Sequence, residues 1–324
     1  MKRIVVLYGG TTSEREVSMK SGRAVIKGLE AIGHDVVGHC LDRDSLDGVD
    51  LDSADFVFIA LHGGWGEGGG LQSELEQRDI PFSGSDSVAC HLAMDKELAK
   101  ARFIAARVPT PIAVASSADD GLKRFKRLAQ RVGYPLAVKP TCQGSSVGVS
   151  IVQNIDEAEA ALEKAFSHGD RVLIEQGIVG REFSVPVIGS RAYPIVEISS
   201  TKKLFDYDAK YKDPSTVYNV SPDLPGMTIR VAQYYARRAH DSLRCNGYSR
   251  VDMMLSNSGQ FYVLEVNTAP GMTERSLVPL CAQAAQMSFE ETLQAIIDAS
   301  LHPRNAELQR PSDRLKAAIA KMAG

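Results

Sequence analysis

The chain is poor in the features that commit a protein to an oxidising compartment, a membrane or a nucleic acid. Its five cysteines, Cys40, Cys90, Cys142, Cys245 and Cys281, are odd in number, scattered and nowhere spaced C-x-x-C. That excludes a fully paired disulfide framework, a zinc knuckle and a dithiol redox pair, and reads as free thiols in a reducing cytosol. No apolar run approaches the roughly 20 residues that cross a bilayer. The first one, Ile4 to Tyr8, breaks at Gly9-Gly10, too early for the apolar region of a signal peptide. A net charge of -3, from 37 basic and 40 acidic residues without a block of one sign, supplies no field to gather nucleic acid. Internal repeats and low-complexity stretches are also missing. These absences lead us to expect a soluble, cytoplasmic protein without a nucleic-acid partner.

What is present has globular proportions: 324 residues, 44% hydrophobic and 24% charged. That is longer than one core usually grows, so two or three domains around a shared cleft are expected. Ile4 to Tyr8, the helical spacing from Val17 to Ile32 and the apolar run Asp55 to Leu61 make the first third an α/β unit, with a weaker strand pattern at Val36 to Cys40. A helix opening at Asp95-Lys96 and stopped by Pro109 and Pro111 marks a boundary. From Leu122 to Phe183 the order is helix, strand, glycine-rich turn, strand, helix, strand, with Asn154 and Glu157 capping the helix Ile155 to Phe166. Leu204 to Pro225 lacks periodicity and is expected to be a functional loop. A helix from Ile229 to Cys245, a hairpin from Tyr248 to Val266 and a helix from Phe289 to Leu301 follow. The tail after Pro303 is charged and weakly helical.

The hairpin carries the strongest chemical signal. Centring its turn on Asn257-Ser258 pairs Leu255 with Gln260, Asp252 with Val263 and Arg250 with Glu265. Strand alternation then puts Arg250, Asp252, Glu265 and Asn267 on one face. A one-residue slip would break this arrangement and a two-residue slip would keep it. Carboxylate and amide oxygens beside apolar residues form a hard-ligand site suited to magnesium held between carboxylates and phosphates. The same residues could make a simple cross-strand Arg250–Glu265 ion pair. The metal reading gains weight because Asn267 runs directly into Thr268-Ala269-Pro270-Gly271, a turn whose glycine N–H can meet an anion.

A second signal is Leu136-Ala137-Val138-Lys139-Pro140 followed by Gln143-Gly144-Ser145-Ser146-Val147-Gly148. Glycine and serine let backbone and hydroxyl donors approach phosphate oxygens. A strand follows rather than a helix, and the lysine precedes the glycines, so this is a hairpin lid and not a P-loop. Lys139, with Lys96 as a second candidate, supplies positive charge to the phosphates. Glu175 and Glu182 sit at strand ends where a carboxylate could accept from ribose hydroxyls. Gly9-Gly10 lacks the G-x-G-x-x-G spacing of a dinucleotide site, so a dehydrogenase ranks last.

With the lid, the hairpin and Glu265-Val266-Asn267-Thr268-Ala269-Pro270-Gly271-Met272-Thr273 in view, the sequence resembles the D-alanine–D-alanine ligases of the ATP-grasp superfamily, nearly throughout up to Leu301. The resemblance implies a mixed α/β and α+β ATP-grasp fold of three domains around a central ATP cleft: residues 1–95, 96–183 and 184–324. It implies ATP with two Mg2+ (or Mn2+), a homodimer, and D-alanyl-D-alanine synthesis for peptidoglycan precursors through an acyl phosphate. Glu14 matches the glutamate that holds the first D-alanine's ammonium, and His62, Gly63 and Glu67 match the motif lining that subsite. Ser145 matches the lid serine, and Lys210 and Tyr211 the mobile loop; a tyrosine there goes with an amine nucleophile. Arg250 and the Gly271 N–H match the oxyanion stabilisers, and Asp252, Glu265 and Asn267 the magnesium ligands. Ser276 and Leu277 match the grip on the second substrate's carboxylate, and Lys96, Lys139, Glu175 and Glu182 the nucleotide contacts. Gly68, Cys142-Gln143 and Val220-Ser221-Pro222 depart from the usual family residues. A ligase of another amino acid, or a nucleotide-binding relative without catalysis, would share much of this pattern.

Overall fold

The computed structural model describes residues 1–199 and 216–302. It is built on three sheets, each read out of the chain in turn. The first comprises β1 (Arg3–Gly9), α1 (Arg15–Ala31), β2 (Asp35–Leu41) and β3 (Phe56–Ile59), all strands parallel in the order β2-β1-β3. Strand β3 is buried at every position, as expected of a parallel strand covered on both faces. Four short helices follow: α2 (Gly64–Glu67), α3 (Gly70–Gln77), α4 (Ser87–Met94) and α5 (Lys96–Ala105). Asp95 caps α5 by accepting from the Glu97 and Leu98 N–H groups, so this helix starts where the Asp95-Lys96 pair predicts.

The second sheet is antiparallel in the order β4-β7-β5-β6 and holds β4 (Ala113–Ser117), α6 (Gly121–Val132), β5 (Leu136–Pro140), β6 (Ser150–Val152), α7 (Ala158–Phe166) and β7 (Arg171–Gln176). Strands β5 and β6 are the predicted hairpin, with Leu136 opposite Val152. The first turn of the helix after Asn154 is 3-10 from Ile155 to Glu157. Asn154 accepts from the Asp156 N–H and Glu157 from the Gln153 N–H. Strand β4 was not foreseen, because its residues Ala-Val-Ala-Ser-Ser carry little strand preference. It forms because pairing to β7 is available.

The third sheet runs β11-β10-β8-β12-β13, with β9 on β8. Its members are β8 (Gly180–Ile188), β9 (Arg191–Ala192), β10 (Val196–Ser199), β11 (Val217–Asn219), α8 (Gly226–Ser242), β12 (Tyr248–Ser256) and β13 (Phe261–Asn267), followed by α9 (Leu277–Ala284) and α10 (Phe289–Leu301). The division expected at residue 183 falls inside β8, which lies wholly in this sheet. Part of the stretch expected to be loop, Val217–Asn219, pairs with β10 as an edge strand; its Val-Tyr core was hidden among Asp and Pro. The rest of that expected loop up to residue 215, and the tail from residue 303, lie outside the described residues.

The β12–β13 register differs from the prediction in two places. Gly259, at φ +85°, closes a three-residue loop in which its N–H donates to the Ser256 carbonyl, and the Ser256 N–H donates to the Gln260 carbonyl. A glycine in this left-handed position selects a three-residue loop instead of the two-residue turn assumed above. A bulge at Leu264 then adds a second residue, so Asp252 faces Glu265 and Arg250 faces Asn267. The predicted pairs Arg250–Glu265 and Asp252–Val263 do not form. Two single-residue shifts sum to two, and the four polar residues keep one common face.

Core packing divides the molecule differently from the sheets. Ile4, Val6, Phe56 and Phe58 of the first sheet share one apolar cluster with Ile188, Tyr248, Met272, Leu293 and Ile297 around the third. The second sheet packs its own cluster, with Phe125, Leu136, Val138, Leu162 and Ile174. No helix among the described residues is long and apolar enough to cross a membrane.

Candidate active site

A narrow cleft where the three sheets meet is lined by Glu14, His62, Glu67, Gly144, Ser145, Arg250, Asn267 and the turn Ala269-Pro270-Gly271. Glu14, just ahead of α1, is buried and accepts from the Ser145 hydroxyl at 2.5 Å. Ser145 and Ser146 both have positive φ, at 50° and 58°, so the lid tip is held in a conformation non-glycine residues seldom adopt. The contact ties the lid of the second sheet to the first.

His62 follows β3 and is fully enclosed. Its Nδ1 lies 2.8 Å from the Ala269 carbonyl, which can only accept, so Nδ1 carries the proton. Nε2 therefore accepts from the Ser21 hydroxyl at 3.1 Å, and Ser21 in turn accepts from the Met272 N–H at 3.1 Å. Burial pushes the His62 pKa down, with Glu14 opposing, so the ring is a neutral strut that fixes the Ala269–Met272 turn. Glu67 accepts from the Gly63 N–H at 2.9 Å and the Ala269 N–H at 3.3 Å. Burial, with the negative charge of Glu14 added, raises it to about 7.

Arg250 clamps Asp252 with two hydrogen bonds, Nε to Oδ1 at 2.9 Å and Nη2 to Oδ2 at 2.7 Å. Asp252 also accepts from the Ser184 hydroxyl at 2.7 Å and the Asn267 amide at 3.1 Å. Glu265, across the strand from Asp252, lies 3.3 Å from Lys96 Nζ, which also donates to the Gln143 carbonyl at 2.6 Å. Lys96 thus joins the lid to the hairpin.

Beside this cleft opens a cavity of about 620 Å³ between the second and third sheets. Its walls carry Lys96, Lys139, Glu175, Glu182, Asp252 and Glu265 among apolar Ala137, Val149, Ile151, Ile178, Met254 and Leu264. An apolar slot ending in cations and carboxylates suits a planar base at one end and phosphates at the other. Lys139 Nζ lies 2.6 Å from Glu175 Oε1, and Lys100 pairs with the other oxygen of Glu175. Burial alone would push Glu175 up, but Lys139 and Lys100 outweigh it and hold the carboxyl below its ordinary range.

The Gly271 N–H belongs to the cleft turn, and Ser276 stands behind it, accepting from the Thr273 N–H at 3.0 Å. Leu277 opens α9, so backbone N–H groups there can meet a carboxylate. Of the predicted residues, Lys210 and Tyr211 lie outside the described residues; every other one lines these two openings or the α9 start that abuts them. Three contributors were missed: Ser21, Ser184 and Lys100. Each acts through another side chain, and no local motif marks such a role.

The match to known proteins agrees with this geometry. Residues 107–298 fit the family model described as D-ala D-ala ligase C-terminus. The chain belongs to the D-alanine–D-alanine ligase family. A D-alanine--D-alanine ligase from Marinobacter nauticus is 42% identical over 92% of this chain and 91% of its own, and one from Stutzerimonas stutzeri is 39% identical over 94% and 96%. A D-alanine--D-alanine ligase from Bacillus anthracis, solved with ATP, superposes with a TM-score of 0.84 at 33% identity, covering 95% of this chain and all of that one. A D-Ala:D-Ser ligase from Enterococcus faecalis reaches 0.82 at 29% identity, over 92% and 99%. These ligases therefore share the ATP-grasp architecture seen here over most of the chain.

Proposed function

We propose that this member of the ligase family joins two D-alanine molecules into D-alanyl-D-alanine, converting ATP to ADP and phosphate. The observation that carries the proposal is that the two openings adjoin: Arg250 of the cleft is paired with Asp252 of the cavity, and the lid gives Ser145 to the one and Ser146 to the other. A nucleotide in the cavity would present its terminal phosphate to a small amino acid in the cleft.

The first D-alanine binds with its ammonium against Glu14 and its carboxylate toward Arg250. A carboxylate oxygen attacks the γ-phosphorus, the bond to the β-phosphate oxygen breaks, and ADP leaves, so catalysis here is mainly positioning and charge neutralisation. The second D-alanine, its carboxylate at the Ser276–Leu277 helix start, attacks the acyl carbon with its neutral amine. The oxyanion that forms is met by Arg250 and the Gly271 N–H, and phosphate departs as the carbonyl returns, taking up the proton that the amine gives up. Lid closure over Ser145 keeps water from the mixed anhydride.

Asp252, Glu265 and Asn267 fit the magnesium that the family resemblance implies. Their oxygens are hard donors, two carboxylates face each other across the strands, and both are already charge-paired with Arg250 and Lys96. Among the described residues no three His, Cys, Asp or Glu side chains gather into a metal cage of their own. Two carboxylates and an amide suit an ion whose remaining ligands are phosphates and water. When bound, magnesium would neutralise phosphate charge and polarise the γ-phosphoryl group. We place the protein in the cytoplasm as a homodimer, which light scattering of the purified chain tests.

Incubation with ATP, magnesium and D-alanine should release phosphate and yield the dipeptide by mass. D-serine and D-lactate in the second position test the specificity. No dipeptide from D-alanine alone, with product forming only once D-serine is added, would move the chain to the other ligase type. Arg250→Ala should cut turnover about 100-fold or more, the usual cost of an oxyanion donor, with ATP binding little changed. Undiminished dipeptide synthesis in that variant would remove Arg250 from the chemistry.

A further inference from the structure

We infer that Lys100, marked by no motif and absent from the cavity wall, is a positioning residue for the nucleotide: it holds one oxygen of Glu175 so that Lys139 can direct its charge at phosphate. The inference rests on the nucleotide reading of the cavity.

Lys100 lies one helical turn beyond Lys96 on α5, on the same side of the helix. Only 4% of it is exposed, with 2% of Glu175 and 8% of Lys139. Two buried ammonium groups therefore share one buried carboxylate, Lys139 on Oε1 and Lys100 on Oε2. The cluster carries a net positive charge beside the cavity. Without Lys100 it becomes a neutral Lys139–Glu175 pair, in which the carboxylate draws on a single cation and the field toward an anion weakens. Burial lowers Lys100 to about 8, with Glu175 partly restoring it, so the cation predominates at neutral pH.

The site is also a mechanical junction. Lys100 Nζ donates to the Thr110 hydroxyl at 2.7 Å, and Thr110 donates to the Val263 carbonyl at 2.8 Å. The Val263 N–H donates to the Pro109 carbonyl, and the Gln176 N–H to the Ile112 carbonyl. Residues 109–112 are thus bonded to β13 on one side and β7 on the other, with Lys100 seated against them. Glu175 on β7 is held at a fixed place relative to β13, which carries Glu265 toward the same cavity. A lysine on a solvated helix face would have none of these ties.

The test compares Lys100→Met and Lys100→Arg with the wild-type chain in binding ATP and adenosine by calorimetry, and in steady-state kinetics. Lys100→Met should weaken ATP binding and raise KM for ATP about tenfold, as for loss of one charged contact. Adenosine affinity, KM for D-alanine and kcat should change little, and Lys100→Arg should recover most of the ATP loss. Equal weakening of ATP and adenosine, or a fall in kcat and thermal stability with ATP affinity intact, would overturn the proposal. Should the Met variant not fold, Lys100→Gln takes its place with the same expectations. Failure of the wild-type chain itself to bind ATP would instead bring down the reading of the cavity.

Discussion

At the scale of single residues, two buried groups with opposite preferences bear on stability: the Glu67 carboxyl in the cleft and, away from it, the His240 imidazole. Glu67 titrates at about 7 in the fold against an ordinary value of 4.5, so the folded chain holds its proton where the unfolded chain has lost it. Its effect on stability is favourable at low pH and is lost as pH rises from about 4.5 toward 7, a swing of about 3 kcal/mol by linkage. His240, enclosed between α8 and β12 and bonded to Ser249 at 2.7 Å, is lowered by burial to about 4. It works the other way: stability falls as pH drops from 6.5 toward 4, because only the unfolded chain takes up the proton. The two slopes oppose each other across the acid range. Glu67→Gln removes one of them, so the variant's stability relative to wild type should improve by a few kcal/mol between pH 5 and pH 8. Urea denaturation at both pH values reads this difference. A constant gap between the two proteins would mean that Glu67 is ionised throughout.

At the scale of elements, the β12–β13 hairpin explains how a wrong register gave a right face. A methyl group at Gly259 would meet only open space, so the position differs from its neighbours in nothing but its positive φ. Gly259→Ala should therefore cost about 1 kcal/mol of stability through backbone strain alone, with turnover unchanged. A larger loss would show that the loop packs against something else. The four polar residues were legible because strand alternation survives a shift of two. The turn length and the Leu264 bulge were not, since both depend on pairing energies that no short window carries. Continuous apolar strands such as β3 and capped helices such as α5 were readable for the same reason: their signals are local. Strands β4 and β11 are held mainly by a neighbour, β7 or β10, and so left little trace in their own residues. Ser21, Ser184 and Lys100 were invisible on the same grounds, because each reaches the two openings only through the side chain it bonds.

At the scale of the whole molecule, the first and third sheets share an apolar core while the second keeps its own. The ties between the second sheet and the rest at the cleft are polar: Ser145 to Glu14, Lys96 to the Gln143 carbonyl, Lys100 to Glu175 and Arg171 to Glu97. Polar ties can be exchanged for water at small net cost, whereas separating an apolar core cannot. The lid tip is therefore the part that can lift, while residues 109–112 and the buried Lys100–Glu175 pair keep the base of the second sheet fixed on β13. Ser145→Ala removes the hydroxyl that bonds the lid tip to Glu14. A hydrogen bond to a charged group contributes about 1.5–3 kcal/mol, so the open population should rise roughly 10- to 100-fold. Hydrogen exchange at residues 141–149 should quicken accordingly, while the melting temperature, set by the apolar cores, stays within a few degrees. Faster ATP hydrolysis without dipeptide should accompany it, since water then reaches the acyl phosphate. Unaltered exchange in the lid would mean that Lys96 and the Gln143 carbonyl hold it shut unaided.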